Sequence, residues 1–536
     1  MEEKEKKLQE IPSEKFAFVN TDAKLHDEKF ETKPIGYFKD AMRRFRKNRG
    51  SVVAGVIILF LVLFALLVPL TSSYVAKNVR VSEYSKMGPR TTWGYNIGIN
   101  GSENKEYNDL ILLKNYGIGV AAEYRYDEAT NTEHHATFEE GKNSAYQPII
   151  KQGSGYESRM GANVSYYYKA NIDTYLGVGF QYYELNNAQY TKLLNWQNET
   201  GIQVLYPMID TTHPDYFDCG DEKIAPNYWY RASSDRNSKG APLTSTGAVQ
   251  RLKTDNNIEY NDIYLRKDGK VQFFIRVGGG TTETASYKVR VLYYNYYQYL
   301  YGVEPNYIFG TDSQGYDLAY RMATGMRLSF ALAVLVSVIN FIIGAIYGAI
   351  EGYYGGATDL IMERITDILV EVPFVVVATL FQLHFSDKVG AFPSLIFAFI
   401  LTGWIGTASR VRSQFYRFKN NEYVLAARTL GARDARIMWK HIFPNTLGTI
   451  ITSSVLVIPG VIFSESMLSY LGIIQLGTKT STSLGTLLSE ASGLWQTYPH
   501  LMIFPAIVIS LLMICFNLFG NGLRDAFNPT LRGADE

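Results

Sequence analysis

Two glutamates sit among apolar residues where charge is out of place, Glu371 inside the stretch Ile368–Phe385 and Glu465 at the end of Asn445–Ser464. An ionised side chain at the middle of a bilayer costs roughly 2.5–3.5 kcal/mol, so each should face a wet cavity or a partner. A carboxylate held there would meet a cation, such as the amino group of a passing solute, and both are candidate translocation-path residues. Asp359, Glu363, Asp367 and Glu371 recur every four residues, which stacks them on one helical face. That ladder either lines a path or is a surface helix pairing with Arg364 and with a basic loop further on. His134-His135, with Glu133, Glu139 and Glu140 close by, has metal-ligand chemistry, but neighbours in sequence rarely aim at one ion and the pair reads as a solvated turn. Gly278-Gly279-Gly280 lacks the strand, Gly-rich loop and helix of a phosphate cradle, and no G-x-x-x-x-G-K-[ST] occurs anywhere. No catalytic residue, metal site or cofactor is assigned to this chain.

The elements that position these residues are mostly apolar helices. The 536 residues carry a net charge of +1 and are 47% hydrophobic, a near-neutral balance that argues against a nucleic-acid partner. Crossing a hydrocarbon layer about 30 Å thick takes roughly 20 apolar residues in a helix. Ser51–Leu70, Leu328–Ile350, Val389–Ser409, Asn445–Ser464 and Leu501–Leu523 qualify without a charge, and Ile368–Phe385, with Glu371, makes six. About fifty residues precede the first, too many for a signal peptide, so it reads as a retained helix. Lys39, Arg43, Arg44, Arg46, Lys47 and Arg49 precede it, and Arg410, Arg412, Arg417, Lys419, Arg428, Arg433, Arg436 and Lys440 follow the fourth. Basic flanks mark the cytoplasmic side. Four crossings separate the two segments, so the parity holds only if the Glu371 span is real. The N- and C-termini are then cytoplasmic and residues 71–317 extracellular, on a multi-pass protein of a cell membrane.

The arm 1–50 and the span 51–70 lead into an insert, residues 71–305, that reads as β-rich. Ile263–Ile275 forms two strands turning at Asp268-Gly269, a strong hairpin signal, and Tyr287–Leu292 alternates like a strand. Tyr166-Tyr167-Tyr168 and Tyr293-Tyr294-Asn295-Tyr296-Tyr297 are either a binding surface or aromatic packing on a sheet or near the headgroups. Cys219 and Cys515, the two cysteines, fall in unlike regions and are not expected to pair. An exported domain of this size needs no disulfide, which fits a Gram-positive surface.

Residues 410–444 hold the segment with the most function in it. Tyr423, Ala427 and Leu430 recur at helical spacing as one apolar face. Gly431 permits a break, a second short helix presents Arg433, Arg436 and Lys440 with Ile437 and Met438 turned away, and Pro444 is expected to stop it before the fifth span. The unit either touches anionic headgroups or docks in a groove on a cytoplasmic partner. Gly344 and Gly348 form a small-xxx-small pair that would let two helices approach closely.

At this point the sequence resembles the permease family of binding-protein-dependent ABC importers. Ala426, Ala427, Gly431 and Pro444 stand at the family's loop-motif positions; Leu425 replaces the usual Glu, with Glu422 three residues away, and His441 and Phe443 replace Ile and Leu. Phe309–Asp317, Gly352–Gly356, Arg364 with Asp367, Leu468–Gly472, Leu488–Glu490 and Phe516–Pro529 are similar to the second type of oligopeptide and dipeptide permease subunit, over about 306–533. Tyr316 stands where that family often has Arg, and Leu484 where it often has Trp.

The resemblance implies a type I ABC importer permease fold: an α-helical polytopic membrane protein with six transmembrane helices, to which the β-rich extracellular insert is added. It implies no enzymatic activity in this chain, with ATP and Mg bound by two ABC ATPase subunits. It also implies a homologous second permease subunit, a substrate-binding lipoprotein and a peptide substrate, in contact with membrane lipid. Glu422, Ala426, Ala427, Arg428, Gly431, Ala432, Asp434, Arg436, Ile437 and Pro444 would form the ATPase-coupling loop, and Glu465 matches a family position near the outer end of the fifth span. The insert is outside the family pattern; its place between the first two spans suggests that it docks the lipoprotein. Another solute of the same family (nickel, a heme precursor, a glycan fragment) or a membrane-anchored surface receptor are the alternatives.

Overall fold

The computed structural model describes residues 37–71, 79–160, 163–212, 264–281, 284–477 and 482–527; the arm before residue 37, Cys219 and the motif end Asn528-Pro529 lie outside them. Two helices open the described chain, α1 (Tyr37–Lys47) and α2 (Arg49–Thr71). The insert follows, with β1 (Ser102–Asn108), α3 (Asp109–Ala122), β2 (Arg125–Asp127), β3 (Thr132–His134), α4 (Phe138–Lys142), β4 (Ile149–Met160), β5 (Asn163–Asp173), β6 (Phe180–Asn186), α5 (Asn187–Thr200), β7 (Leu205–Tyr206), β8 (Arg266–Lys267), β9 (Lys270–Val271), β10 (Phe274–Gly278), β11 (Ser286–Leu292) and α6 (Tyr293–Tyr301). The helical body is α7 (Leu318–Tyr354), α8 (Gly356–Val370), α9 (Phe374–Val389), α10 (Ala391–Gly403), α11 (Ile405–Phe418), α12 (Glu422–Thr429), α13 (Asp434–Arg436), a π-helical stretch Ile437–Ile442, α14 (Phe443–Val455), α15 (Val457–Tyr470), α16 (Leu484–Ala491) and α17 (His500–Phe527).

Among the described residues, five helical stretches are long and apolar enough to cross a membrane: Arg49–Leu70, Leu318–Tyr354, Ala391–Phe418, Asp434–Tyr470 and His500–Phe527. The sixth expected span is not one straight helix. α8 and α9 meet at a 74° bend, because Pro373 disfavours the helical conformation at the residue before it. The 16 residues of α9 reach only about 24 Å at 1.5 Å each, so this span is complete only if the bent pair is counted together. Glu371 lies at the bend, where it is the residue capping α8.

α7 and α11 pack closely through glycines. A methyl group on Gly344 would stand 2.7 Å from Thr407 Cβ, one on Gly352 would stand 2.7 Å from the Arg412 carbonyl, and one on Gly348 would strike the Ala408 carbonyl. The small-residue spacing therefore marks a helix interface, and it extends one turn further than Gly344 and Gly348.

The insert contains two main sheets, one ordered β1-β5-β4 and one β10-β11-β6 with β7 also on β11. The Asp268-Gly269 hairpin is present, pairing Arg266 with Val271 and Lys267 with Lys270. Asp268 and Gly269 have φ of 53° and 75°, the left-handed pair that a two-residue turn of this kind requires. Tyr287–Leu292 is strand as expected. The tyrosine run 293–297 is neither strand nor exposed surface: it is the first turn and a half of α6, with all five residues buried. Tyr84 lies among them, with ring centroids 5.0 Å from Tyr293 and 5.3 Å from Tyr297. These rings are the core of the insert, so the packing reading holds for this run. His134 and His135 turn to different carboxylates, Glu140 at 3.7 Å and Glu133 at 3.3 Å, and no metal-ligand cluster occurs among the described residues.

The insert is held at both ends. Arg90 and Tyr307 exchange backbone hydrogen bonds of 2.9 and 2.8 Å, and Val81 and Lys86 donate to Gly315 and Asp312 at 3.0 and 2.8 Å. The entering and leaving chains thus form one antiparallel stem directly before α7. Arg90 also reaches into the insert, with Asp173 at 2.5 Å and the Tyr294 hydroxyl at 3.0 Å. Burial pushes the Asp173 carboxyl up, against the pull of the adjacent guanidinium. Lys86 and Lys105 place their ammonium groups 5.7 and 4.9 Å from the ring centre of Tyr498, just before α17. The insert is therefore braced against the helical body at more than one point.

Candidate coupling surface and the acid-lined cavity behind it

The segment 421–445 forms a helix, a glycine turn and a second helix, as its residue types demand. Glu422 and Arg428 stand at the first and last turns of α12, each favourable against the helix dipole. Gly431, at φ +82°, takes the left-handed turn, with open space where a side chain would be. Asp434 then starts α13.

One face of this unit is sealed onto α7 and α11. Val424, Ile437, Met438 and Ile442 are buried in one cluster with Ala345, Ala349, Tyr353, Val411 and Phe415. Polar contacts reinforce the seal: the Tyr353 hydroxyl donates to Asp434 Oδ1 at 2.6 Å, and Arg428 donates to the same hydroxyl at 3.3 Å. The opposite face is open. Tyr423, Leu425 and Leu430 are exposed, Leu430 to 88%, and Glu422, Ala426, Arg428, Arg433, Asp434 and Arg436 are exposed with them. The apolar face expected from Tyr423, Ala427 and Leu430 is thus not the packed one; Val424 packs, while Tyr423 and Leu430 project outward and Ala427 and Ala432 are half-buried. Arg433, Arg436 and Lys440 are exposed and Ile437 and Met438 buried, as the spacing predicts.

Pro444 does not stop the second helix. The helical path from Asp434 to Tyr470 is one stretch, with Pro444 in the first turn of α14. A proline is tolerated where its missing N–H would have no partner, and the π-helical stretch Ile437–Ile442 ahead of it displaces the hydrogen-bond ladder. Asn445 Nδ2 covers the His441 carbonyl at 2.8 Å. Loop and fifth span are therefore one continuous lever.

Behind this surface, Arg412 on α11 gathers three carboxylates. Its Nε lies 2.6 Å from Asp359 and 3.5 Å from Glu351, and its Nη1 lies 2.9 Å from Glu363. Tyr416 Oη, one turn on, donates to Asp359 at 2.6 Å. Arg364 takes Asp367 at 3.1 Å. Most of the ladder of acids thus has basic partners, Arg412 coming from the basic segment and Arg364 from the same helix. The periodicity of the carboxylates is visible in the sequence, but their shared partner is not, because nothing in the spacing singles out Arg412 from its basic neighbours. Glu351 and Tyr353 were missed for the same reason. Glu371 stands apart from these pairs, exposed at the bend, and lines a cavity of about 560 Å³ with Glu351, Glu363, Asp367, Ser409 and Arg412.

Glu465 is enclosed. It is fully buried, accepting from Ser329 Oγ and Ser469 Oγ at 3.0 Å each, so within this chain it ties α15 to α7. Ser329 and Ser469 supply the polar partners that a carboxyl among apolar helices requires.

Comparison with known proteins agrees with this architecture. Residues 344–533 match the family of binding-protein-dependent transport system inner membrane components, and residues 36–89 match the N-terminal transmembrane domain of oligopeptide transport permease C. The oligopeptide transport system permease protein OppC of Bacillus subtilis (strain 168) is 43% identical over 225 residues, covering 42% of this chain and 72% of that protein. The dipeptide transport system permease protein DppC of Lactococcus lactis subsp. cremoris (strain MG1363) is 41% identical over 224 residues, 42% and 64% of the respective chains. DppC of Bacillus subtilis is 42% identical over 230 residues, 42% of this chain and 69% of that one. A structure of the MetNI methionine ABC transporter in inward-facing conformations is 14% identical and covers 39% of this chain and 97% of that chain, with a TM-score of 0.33. Most of the insert lies outside both family matches. The chain therefore belongs to the inner membrane permeases of binding-protein-dependent ABC transport systems, in the OppC and DppC group, with the type I importer permease fold enlarged by a β-rich domain between its first two spans.

Proposed function

We propose that this chain is one of two permease subunits of an ATP-driven importer, moving oligopeptides that an extracellular binding lipoprotein delivers. The observation that carries the reading is the helix–turn–helix 422–436, sealed on one face by Val424 and Ile437 and open on the other. A surface element so firmly joined to the spans, and continuous with α14, suits transmission of force better than passive contact with lipid. The named functions of the OppC and DppC relatives favour peptides over other solutes. Of two ATPase subunits, one would dock on Leu430, Arg433 and Arg436 from the cytosol, and the pair would bind the ATP and Mg that this chain has no motif to hold. Nucleotide binding would bias the pore only by its differential affinity for the inward- and outward-open states.

The test is reconstitution. The complex purified through this chain should contain two nucleotide-hydrolysing subunits and a homologous permease, and should load vesicles with peptide only when ATP is supplied on the loop side. A complex without a nucleotide-hydrolysing companion would refute the reading.

The braced insert fits a landing platform for the lipoprotein, since its stem stands directly before α7 and so next to the helical body. Replacing residues 79–300 by a short linker should reduce peptide import at least tenfold and weaken lipoprotein binding to the detergent-purified complex. Unchanged import together with unchanged lipoprotein affinity would reject this role.

A further inference from the structure

α8 is a helix with little to hold it. Of its fifteen residues only Thr366 is buried, while Leu360, Ile361, Ile365 and Ile368 are exposed. Its attachment to the rest of the chain is largely polar and largely through one residue. Arg412 donates from Nε and Nη2 to the two oxygens of Asp359, at 2.6 and 2.9 Å, and from Nη1 and Nη2 to the two oxygens of Glu363, at 2.9 and 3.1 Å. Two carboxylates one turn apart on α8 are thus each held bidentately by a single guanidinium. Such a fork fixes direction as well as distance, which a lysine ammonium on a flexible stem does not. Tyr416 adds a bond to Asp359 from the next turn of α11, and the Tyr347 hydroxyl donates to the Met362 carbonyl at 2.8 Å.

The place of Arg412 in the chain gives this clasp a consequence. α11 runs directly into α12 through Lys419, which donates to the Gly352 carbonyl at 3.0 Å. The other end of α8 is the bend at Glu371–Pro373, beyond which the apolar helix α9 begins. Arg412 also closes one side of the cavity that Glu371 lines. A displacement of the loop 421–445 carried by α11 therefore reaches the bent span chiefly by way of Arg412, with Tyr416 as the lesser link.

We propose that Arg412 is a positioning residue for transport, clasping α8 to α11 so that the bent third span moves as one body with the ATPase-facing loop. This rests on the proposed function above and assigns the linkage to one side chain. In the assembled transporter, Arg412→Met should leave ATP hydrolysis by the partner subunits within about twofold and lower peptide import, so that ATP consumed per peptide imported rises at least tenfold. Neutralising the other side, with Asp359→Asn and Glu363→Gln together, should reproduce the effect without altering Arg412, which guards against a folding defect in the first variant. Arg412→Lys should fall between wild type and Arg412→Met. Spin labels at Ile361→Cys on α8 and Leu425→Cys on α12 should give one narrow distance distribution in the wild-type background, with and without nucleotide, and a broad one with Arg412→Met. A normal ATP-to-peptide ratio in both the Arg412→Met and the doubly neutralised transporter would overturn the proposal. So would losses of hydrolysis and import that simply track the amount of assembled complex in both. Absence of ATP-dependent import by the wild-type assembly is a separate outcome, removing the functional reading and this proposal with it.

Discussion

Gly348→Val is expected to prevent the chain from forming a stable permease. The glycine sits where α7 crosses α11, and a β-carbon there would meet the Ala408 carbonyl and stand 2.9 Å from the Ala408 carbonyl carbon and Val411 Cβ. Two of these atoms are backbone, so no rotamer change relieves the clash; the helices must separate. Separation would also loosen Gly344 and Gly352 from the same partner and draw Arg412 away from Glu351. Overpacking of a tight interface typically costs about 1–3 kcal/mol, and a rigid backbone obstacle places this case at or beyond the upper end. The recovery of monodisperse complex from detergent should fall at least fivefold. Gly431→Ala is the contrasting control: it disturbs a left-handed turn but meets no atom within 4 Å. Its cost should be only the strain of φ +82°, about 1 kcal/mol. Equal recovery of Gly348→Val and wild type would show that the two helices do not meet as described.

Val424→Asp should uncouple the loop from the spans while leaving the spans themselves in place. Val424 is fully buried among Ile437, Met438, Ile442, Tyr353 and Phe415. An unpaired carboxylate at that position costs several kcal/mol unless the site opens to water. The side-chain contacts left to α12 among the described residues would be chiefly polar, Arg428 to the Tyr353 hydroxyl and Asn445 to the Tyr423 hydroxyl. The loop would therefore lift away, and peptide import should drop at least tenfold with membrane insertion of the chain unchanged. Leu425→Glu, on the exposed side of the same helix, should keep import within about twofold, because its side chain displaces no packing and restores an acid beside Glu422. Comparable losses from both substitutions would mean that the outer face, not the seal, limits transport.

Much of this architecture is legible in the sequence because the bilayer imposes it. Uninterrupted apolar runs can only be helices buried in lipid or protein, and five such helices are found near where composition places them. The third span is less legible: residue counts gave it a plausible length, but Pro373 and the acids before it divide it into two helices at a steep angle. Local chemistry was also readable where one residue type dictates a conformation, as at Asp268-Gly269 and Gly431. Partnerships were not. Helical spacing identifies a face but not what covers it: Tyr423, Ala427 and Leu430 share an apolar face, yet Val424 is the residue of this helix that is buried against the spans. Likewise a buried acid such as Glu465 calls for a wet cavity or a partner, and the sequence does not show that Ser329 and Ser469, 136 and 4 residues away, are the partners. The tyrosines 293–297 show the same limit, since a dense aromatic run carries no period that separates the core of a domain from its surface. Pro444 shows a different one: a breaker in the middle of a pattern is harmless at the first turn of a new helix, and only the π-helical stretch before it reveals that it stands there.

If the element spanning 422–436 is a firm, exposed handle on the cytoplasmic side, its thiol accessibility must differ between the two faces of the membrane. In a background with Cys219→Ser, where the remaining native Cys515 is buried, Leu430→Cys should resist a membrane-impermeant maleimide in intact cells. It should react fully in inside-out vesicles and be shielded once the ATPase subunits are bound. Rapid labelling of Leu430→Cys from outside intact cells would put the element on the side of the membrane where no ATPase can reach it, and would end its role as the coupling surface.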